Sequence, residues 1–405
     1  MNALLERLGI GEISPLFDEC YEKALKEEGI PEWLTEEYIR SSSEEFPFFT
    51  GQLEETVASL EEVVKKPDLV LFARVLYHMI GVEGLYDDVF QGIKFPEAPE
   101  GENPRAYDIF TFYPILARTL DTYRAHRDSG SDPEILTATA SGLAECIDAS
   151  AKRLGRFGFI PMYFAWCTLH ANGCLFKIDR FSFELKKNSS YDFYSFINSN
   201  GKILNLMSDG LRVAKNGFIF GSAGATDEEG MYTTTYKETD TAYEGFPVNE
   251  GGAFVESTPT VLSKSEWSLL YRPGDAVISV HIPEKRAFDK AVIDASFHHA
   301  REFFKNRYSD LDIKAFVCTS WLLAPELKAF LKNTSNILYF QNLYTKFPIL
   351  CQGLDVFNFV FYKSLKSVNE LDIDALPGST SLERGVKELY KNGNFIHETG
   401  GIFKF

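Results

Sequence analysis

A strand that passes through one long helix into a second strand leaves a chain few ways to fold, and the last third of this sequence has that order. "AVISVHI" is apolar and stops at Pro283; "FDKAVIDASFHHAREFFKNRY" follows as a helix, and "IKAFVCTSW" as the next strand. Strands joined by such a crossover lie parallel in one sheet, with a right-handed connection. Side chains alternate across a sheet. Ile278, Val280 and Ile282 therefore share one face of the first strand, and Ser279 and His281 the other. In the second strand Phe316, Cys318 and Ser320 stand opposite Val317, Thr319 and Trp321. With the strands as neighbours, Ser279 and His281 are expected to meet Cys318 and Ser320 near the carboxyl ends, the edge at which open α/β sheets bind ligands. His281 reads either as a working residue or as a core histidine with satisfied hydrogen bonds.

The rest of the chain sets the frame. Its 405 residues, 45% of them hydrophobic, are many for one core, so two domains are expected. The formal charge of −17 lies almost wholly in the first 170 residues, and the remainder is close to neutral. Such acidity argues against nucleic-acid binding, which needs a basic face. The first part reads as helices. "SPLFDECYEKALKEEG" opens on a cap signal and ends on glycine, and in "DPEILTATASGLAECIDASAKRLG" the residues Leu136, Ala140, Leu143 and Ile147 fall on one face. From residue 173 "CLFKIDRFSFELKK" alternates as a strand does. "NILYFQNLY" and "VFNFVFYK" read as further strands, and "TSLERGVKELYKNG" as a closing helix with a capping box. The expected fold is α+β in two domains: an all-α domain over 1–172 and a mixed α/β domain over 173–405.

Other constellations are weaker. The turn "IPEKRAFD" opens a helix, and helix amino ends attract anions; Lys285 and Arg286 add charge there, while Glu284 opposes it and no glycine lets the backbone wrap a phosphate. His298 and His299 are adjacent on a helix and point about 100° apart, unlike a metal pair. Cys167, His170 and Cys174, with Cys146, supply soft ligands, but their spacing is no standard zinc pattern and the segment is aromatic enough for a buried helix. No metal is expected. The sequence has no G-x-S-x-G, phosphate loop, H-E-x-x-H or C-x-x-C. The start "MNALLERLGIGE" does not read as a signal peptide, no window suits a bilayer, and six cysteines read as reduced thiols; the expected address is the cytoplasm.

The segments "PEILTATASGLAECID", "LFKIDRFSFEL", "PGDAVISVHIPE", "ASFHHAREFF", "FVCTSWLLAPELKAFL", "SNILYFQ" and "LPGSTSLERGVKELYKNG" give the chain a resemblance to a bacterial family of acyltransferase domain-containing proteins. These pair a helical N-terminal domain with a GNAT-like C-terminal domain, similar to the N-acetyltransferase superfamily. The resemblance implies an acyl-CoA-dependent N-acyltransferase, with acetyl-CoA or another acyl-CoA as donor and an amine on a small molecule or peptide as acceptor. In that superfamily the donor lies in a splay between two parallel strands. Carried over by position, the backbone of Val280 and Ile282 would hold the pantetheine, and Lys285 and Arg286 the phosphates. His281 would be the base, Ser279 or Ser320 would orient it, and Cys318 would protonate the leaving thiolate. The superfamily's glycine-rich diphosphate signature is missing from "PEKRAF", and its tyrosine from "APELKAFLK". Those departures leave open a second expectation, a catalytically inactive GNAT-like module that binds a ligand or a protein.

Overall fold

The computed structural model describes all residues except 1–2, 12–14, 83–89, 91–92, 252, 284–287, 364 and 366. It divides the chain into two compact units, Met1–Ile178 and Asp179–Phe405.

The first unit is helical. Its longest helix, Pro133–Leu154, begins with Asp132 accepting from the Glu134 amide and ends on Gly155 in the left-handed region. Leu136, Ala140, Leu143 and Ile147 are buried, the face the spacing predicts. A short strand, Leu175–Ile178, lies along this helix, where the Lys177 amide donates to Thr139 Oγ1.

The second unit is built on five strands: β1 (Phe181–Lys186), β2 (Ala276–His281), β3 (Ile313–Ser320), β4 (Thr345–Pro348) and β5 (Thr399–Lys404). Their spatial order is β1-β2-β3-β5-β4. β2 and β3 are parallel; every other neighbouring pair is antiparallel. The crossover helix Lys290–Arg307 is capped by Asp289, which accepts from the Val292 amide. It buries Ile293, Phe297, Ala300 and Phe304, one apolar stripe at helical spacing. Phe297 sits among Phe183, Phe316 and Phe403 on one face of the sheet. The other face carries Val277, Ala315, Val317, Phe347 and Ile402. It packs on Phe193, Met207 and Tyr271 of a smaller antiparallel sheet, Phe193–Asn198, Ile203–Met207 and Trp267–Tyr271.

Two expected strands are helical. "NILYFQN" forms the helix Asn336–Asn342, started by Ser335 accepting from the Ile337 amide, and "DVFNFV" forms Asp355–Val360. Both are short apolar runs whose periodicity does not choose between helix and strand, and burial of Leu338, Phe340, Val356 and Phe357 decides. The strand that does lie beside β3 is "TGGIFK", whose two glycines disguise it. Gly400 lies under the Phe347 ring and Gly401 under Tyr344, where a Cβ would stand 2.7 Å from the tyrosine Cβ. Gly401→Ala therefore overpacks the sheet, and the second unit should lose about 1–3 kcal/mol of stability in urea titration. Unchanged stability would mean that Tyr344 moves aside freely.

Candidate functional site

The ladder between β2 and β3 starts at Ala276/Ile313 and ends at Ser279/Val317. Both strands continue beyond it, but with other partners. β2 runs on to His281 against Ser182 of β1, and β3 runs on to Ser320 against Thr399 of β5. The two parallel strands thus part at their carboxyl ends, leaving a wedge between Val280–Ile282 and Cys318–Ser320.

The same register corrects the expected meeting of side chains. Ser279 is opposite Val317, so Ser279 and His281 share a face with Val317 and Thr319. Cys318 and Ser320 point the other way, with Ile278 and Val280. Period-two alternation assigns faces within each strand but does not set the register between strands, and a shift of one residue exchanges the faces. The Cys318 thiol is buried, which pushes its pKa far up; the neighbouring Tyr344 hydroxyl offsets this only in part. The Ser320 hydroxyl accepts from the Leu322 amide and caps the turn Trp321–Leu323. Ser279 is buried beside the Tyr191 hydroxyl. Val280 is buried and Ile282 is half-buried at the wedge. Lys285 and Arg286 lie outside the described residues.

One further residue, which no motif or spacing points to, completes the arrangement. Glu184 of β1, opposite Ser279 in the register, is 1% exposed, and its Oε2 accepts from His281 Nε2 at 2.8 Å. Lys186 Nζ lies 3.5 Å from the other carboxylate oxygen. Burial alone raises the Glu184 pKa. The hydrogen bond from His281 and the charges of His281 and Lys186 outweigh it, and the net value lies below the ordinary one. The imidazole itself keeps 30% of its side-chain surface exposed. The hydrogen bond to the carboxylate orients the imidazole ring. Thr319, on the same face, is exposed beside the wedge. The signal for Glu184 in the sequence is a lone acid inside "FSFEL", a strand buried throughout.

The remaining histidines have other attachments. His397 donates from Nδ1 to Glu326 at 2.8 Å and from Nε2 to the Ala223 carbonyl at 2.9 Å. Burial pulls its pKa down, yet these bonds and the Glu326 charge leave it raised. His170 is buried and its Nδ1 accepts from the Tyr123 hydroxyl at 2.9 Å; burial and the Lys177 charge lower its pKa to about 3. Cys167 lies beside Cys146, and the Cys174 thiol donates to the Leu169 carbonyl. His298 and His299 pair with Glu302 and Asp179 on the surface. Among the described residues no group of three or more His, Cys, Asp or Glu could hold a metal ion, and no helix is long and apolar enough to cross a membrane.

Residues 153–403 match the model of the GNAT-like C-terminal domain. Solved structures share the fold. One is an acyltransferase mutant in complex with octanoyl-CoA, 19% identical, with a TM-score of 0.64, the match covering 99% of this chain and 98% of that one. Another is an acyltransferase in complex with decanoyl-CoA and teicoplanin, 18% identical, with a TM-score of 0.62 and the same coverage. A third, an acyltransferase with CoA and 10C-teicoplanin, is 18% identical with a TM-score of 0.63, again over 99% and 98%. No curated protein sequence matches the chain.

The Glu184 pair makes a pH-dependent prediction. Its folded pKa is depressed, so its stabilisation is present above the ordinary value of 4.5 and is lost as pH falls through the folded value. Glu184→Gln should cost about 1–3 kcal/mol near pH 7. The gap between wild type and variant should close as the pH is lowered below 4.5, as read by urea titration at several pH values. A gap that stays constant with pH would show that the carboxylate charge contributes nothing.

Proposed function

The chain belongs to the GNAT-like C-terminal domain family, and from that premise we propose that it is an acyl-CoA-dependent N-acyltransferase acting on an amine of a small molecule or peptide. The observation that carries the reading is the wedge between β2 and β3 with the His281–Glu184 pair on its flank. Two strands of a continuous sheet would leave no room for a ligand between them. Here each strand finds its hydrogen bonds on its far side, so the inner edges near Val280, Ile282 and Thr319 are not joined by the ladder. That edge suits the amide-rich arm of an acyl-CoA, which the similar solved acyltransferases bind. Acetyl-CoA or another acyl-CoA supplies the activated acyl carbon.

The chain's own residues then have defined roles. An amine nitrogen attacks the thioester carbonyl, the carbon–sulfur bond breaks, and CoA departs as thiolate. His281 Nδ1 takes the proton the amine loses and returns it to the thiolate, so charge balances over the cycle. Glu184, rather than Ser279 or Ser320, holds the ring in the tautomer that leaves Nδ1 basic and stabilises the imidazolium once formed. Cys318 stands on the opposite face in a setting that keeps its thiol protonated, and no step is assigned to it.

Two outcomes test this. Acetyl-CoA, octanoyl-CoA or decanoyl-CoA at about 100 times its dissociation constant should stabilise the protein by about 2.7 kcal/mol, seen as a rise in melting temperature. If none of them shifts the transition at millimolar concentration, the inactive-module reading replaces this one. With a panel of amines and CoA thiol release as the readout, His281→Ala should slow transfer by roughly tenfold or more while the melting temperature holds. Equal turnover would remove His281 as the base.

A further inference from the structure

We propose that Thr319 is a specificity-determining residue for the acceptor: the amine reaches the thioester over the face of β3 that carries Thr319, and the side chain at this position limits the bulk beside the amine nitrogen. The inference rests on the acyl-CoA reading above and adds to it the side from which the second substrate arrives.

The two faces of the sheet differ at the end of β3. On the face of Cys318 and Ser320 the strand end is closed. Cys318 is 1% exposed and lies beside Tyr344, and the Ser320 hydroxyl is taken up by the Leu322 amide. Gln341 is buried and donates from Nε2 to the carbonyls of Leu322 and Ala324, both at 2.9 Å, which holds the turn that follows. On the opposite face the cover stops short of the strand end. The smaller sheet packs on Val277, Ala315, Val317 and Ile402, and Val317 is fully buried. Thr319, the next residue along the same face, is exposed.

The neighbours of Thr319 bound this opening. On the β5 side its register partner is Gly400, and the Phe347 ring lies over that glycine. On the β2 side stands His281, with 30% of its side-chain surface exposed. Central strands of sheets flanked on both sides are normally covered on both faces. A small exposed side chain between a phenylalanine and a part-exposed histidine therefore marks a gap in the cover. An amine that gives its proton to His281 must come within hydrogen-bond reach of that ring, so it arrives on this face and passes Thr319. A larger side chain at 319 would occupy the same space and exclude acceptors branched beside the nitrogen.

The test uses the full chain with acetyl-CoA as donor and two amines, benzylamine and α-methylbenzylamine, and reads CoA thiol release. Thr319→Leu should lower kcat/KM for the branched amine by about tenfold or more and for benzylamine by less than about threefold. Its affinity for CoA in calorimetric titration should stay within about twofold of wild type. Thr319→Val keeps the volume and loses the hydroxyl, and should keep the wild-type ratio between the amines. Equal losses for both amines, or a valine variant that behaves as the leucine variant does, would overturn the assignment of bulk to this position. Weaker CoA binding in parallel would place Thr319 on the donor's side instead. A second measurement needs no turnover. The six native cysteines are buried, so in Thr319→Cys the introduced thiol should react with a maleimide about 100-fold faster than any of them, also with acetyl-CoA bound. An unreactive thiol, or one that acetyl-CoA shields, would overturn the open face even where wild type transfers to neither amine. Wild type that binds no CoA while the thiol reacts would overturn the acyl-CoA reading itself, and the acceptor role with it.

Discussion

The second unit depends on a hydrogen-bond ladder that stops. β2 and β3 share it over a few residues and then separate, each retained by an antiparallel neighbour. A parallel pair at the edge of a sheet could not part this way, because the freed backbone groups would be left without partners. Here the pair is central, so β1 and β5 hold the diverging ends and the opening costs only the inner bonds. Phe297 of the crossover helix packs beneath the sheet against Phe183, Phe316 and Phe403, which stand on β1, β3 and β5. The wedge is thus a property of the sheet's order rather than of any loop laid over it.

A buried carboxylate beside this wedge needs a physical account. Removing Glu184 from water is unfavourable, and an isolated acid in that position would take up a proton. It stays ionised because His281 donates to one oxygen and Lys186 approaches the other. Buried pairs of this kind contribute little to stability compared with an apolar replacement. A hydrophobic residue at position 184 would pack as well as the residues around it, but would leave the imidazole unoriented. The placement is therefore better explained by what it does to His281 than by what it does for the fold.

Much of this is legible in the sequence, for identifiable reasons. The crossover helix and the parallel strands follow from apolar spacing and from the strand-helix-strand order, both local signals. The helical first unit follows likewise. The features that escape are set by contacts distant in sequence. The register between β2 and β3 puts Ser279 against Val317 and so separates His281 from Cys318 and Ser320. The partner of His281 lies 97 residues earlier, in a strand whose acid gives no hint of where it points. "TGGIFK" looks like a loop until Phe347 and Tyr344 are seen to cover its glycines. In each case local propensity is neutral and tertiary contact decides.

Comparison of His281 with His397 shows why residue type alone does not locate the chemistry. Both lie at the carboxyl-end edge of the sheet and both pair with a glutamate. His397 donates through both nitrogens, to Glu326 and to the Ala223 carbonyl, and the Phe218 ring stacks 3.9 Å from its centroid. Both of its nitrogens are held by acceptors, which, against burial, raises its pKa above the ordinary value. It ties the segment around Ala223 to the start of β5. His281 meets its carboxylate through Nε2, its side chain is 30% exposed against 10% for His397, and its strand end borders the wedge. Position beside the end of the parallel ladder, a carboxylate partner and partial exposure set His281 apart from the enclosed His397.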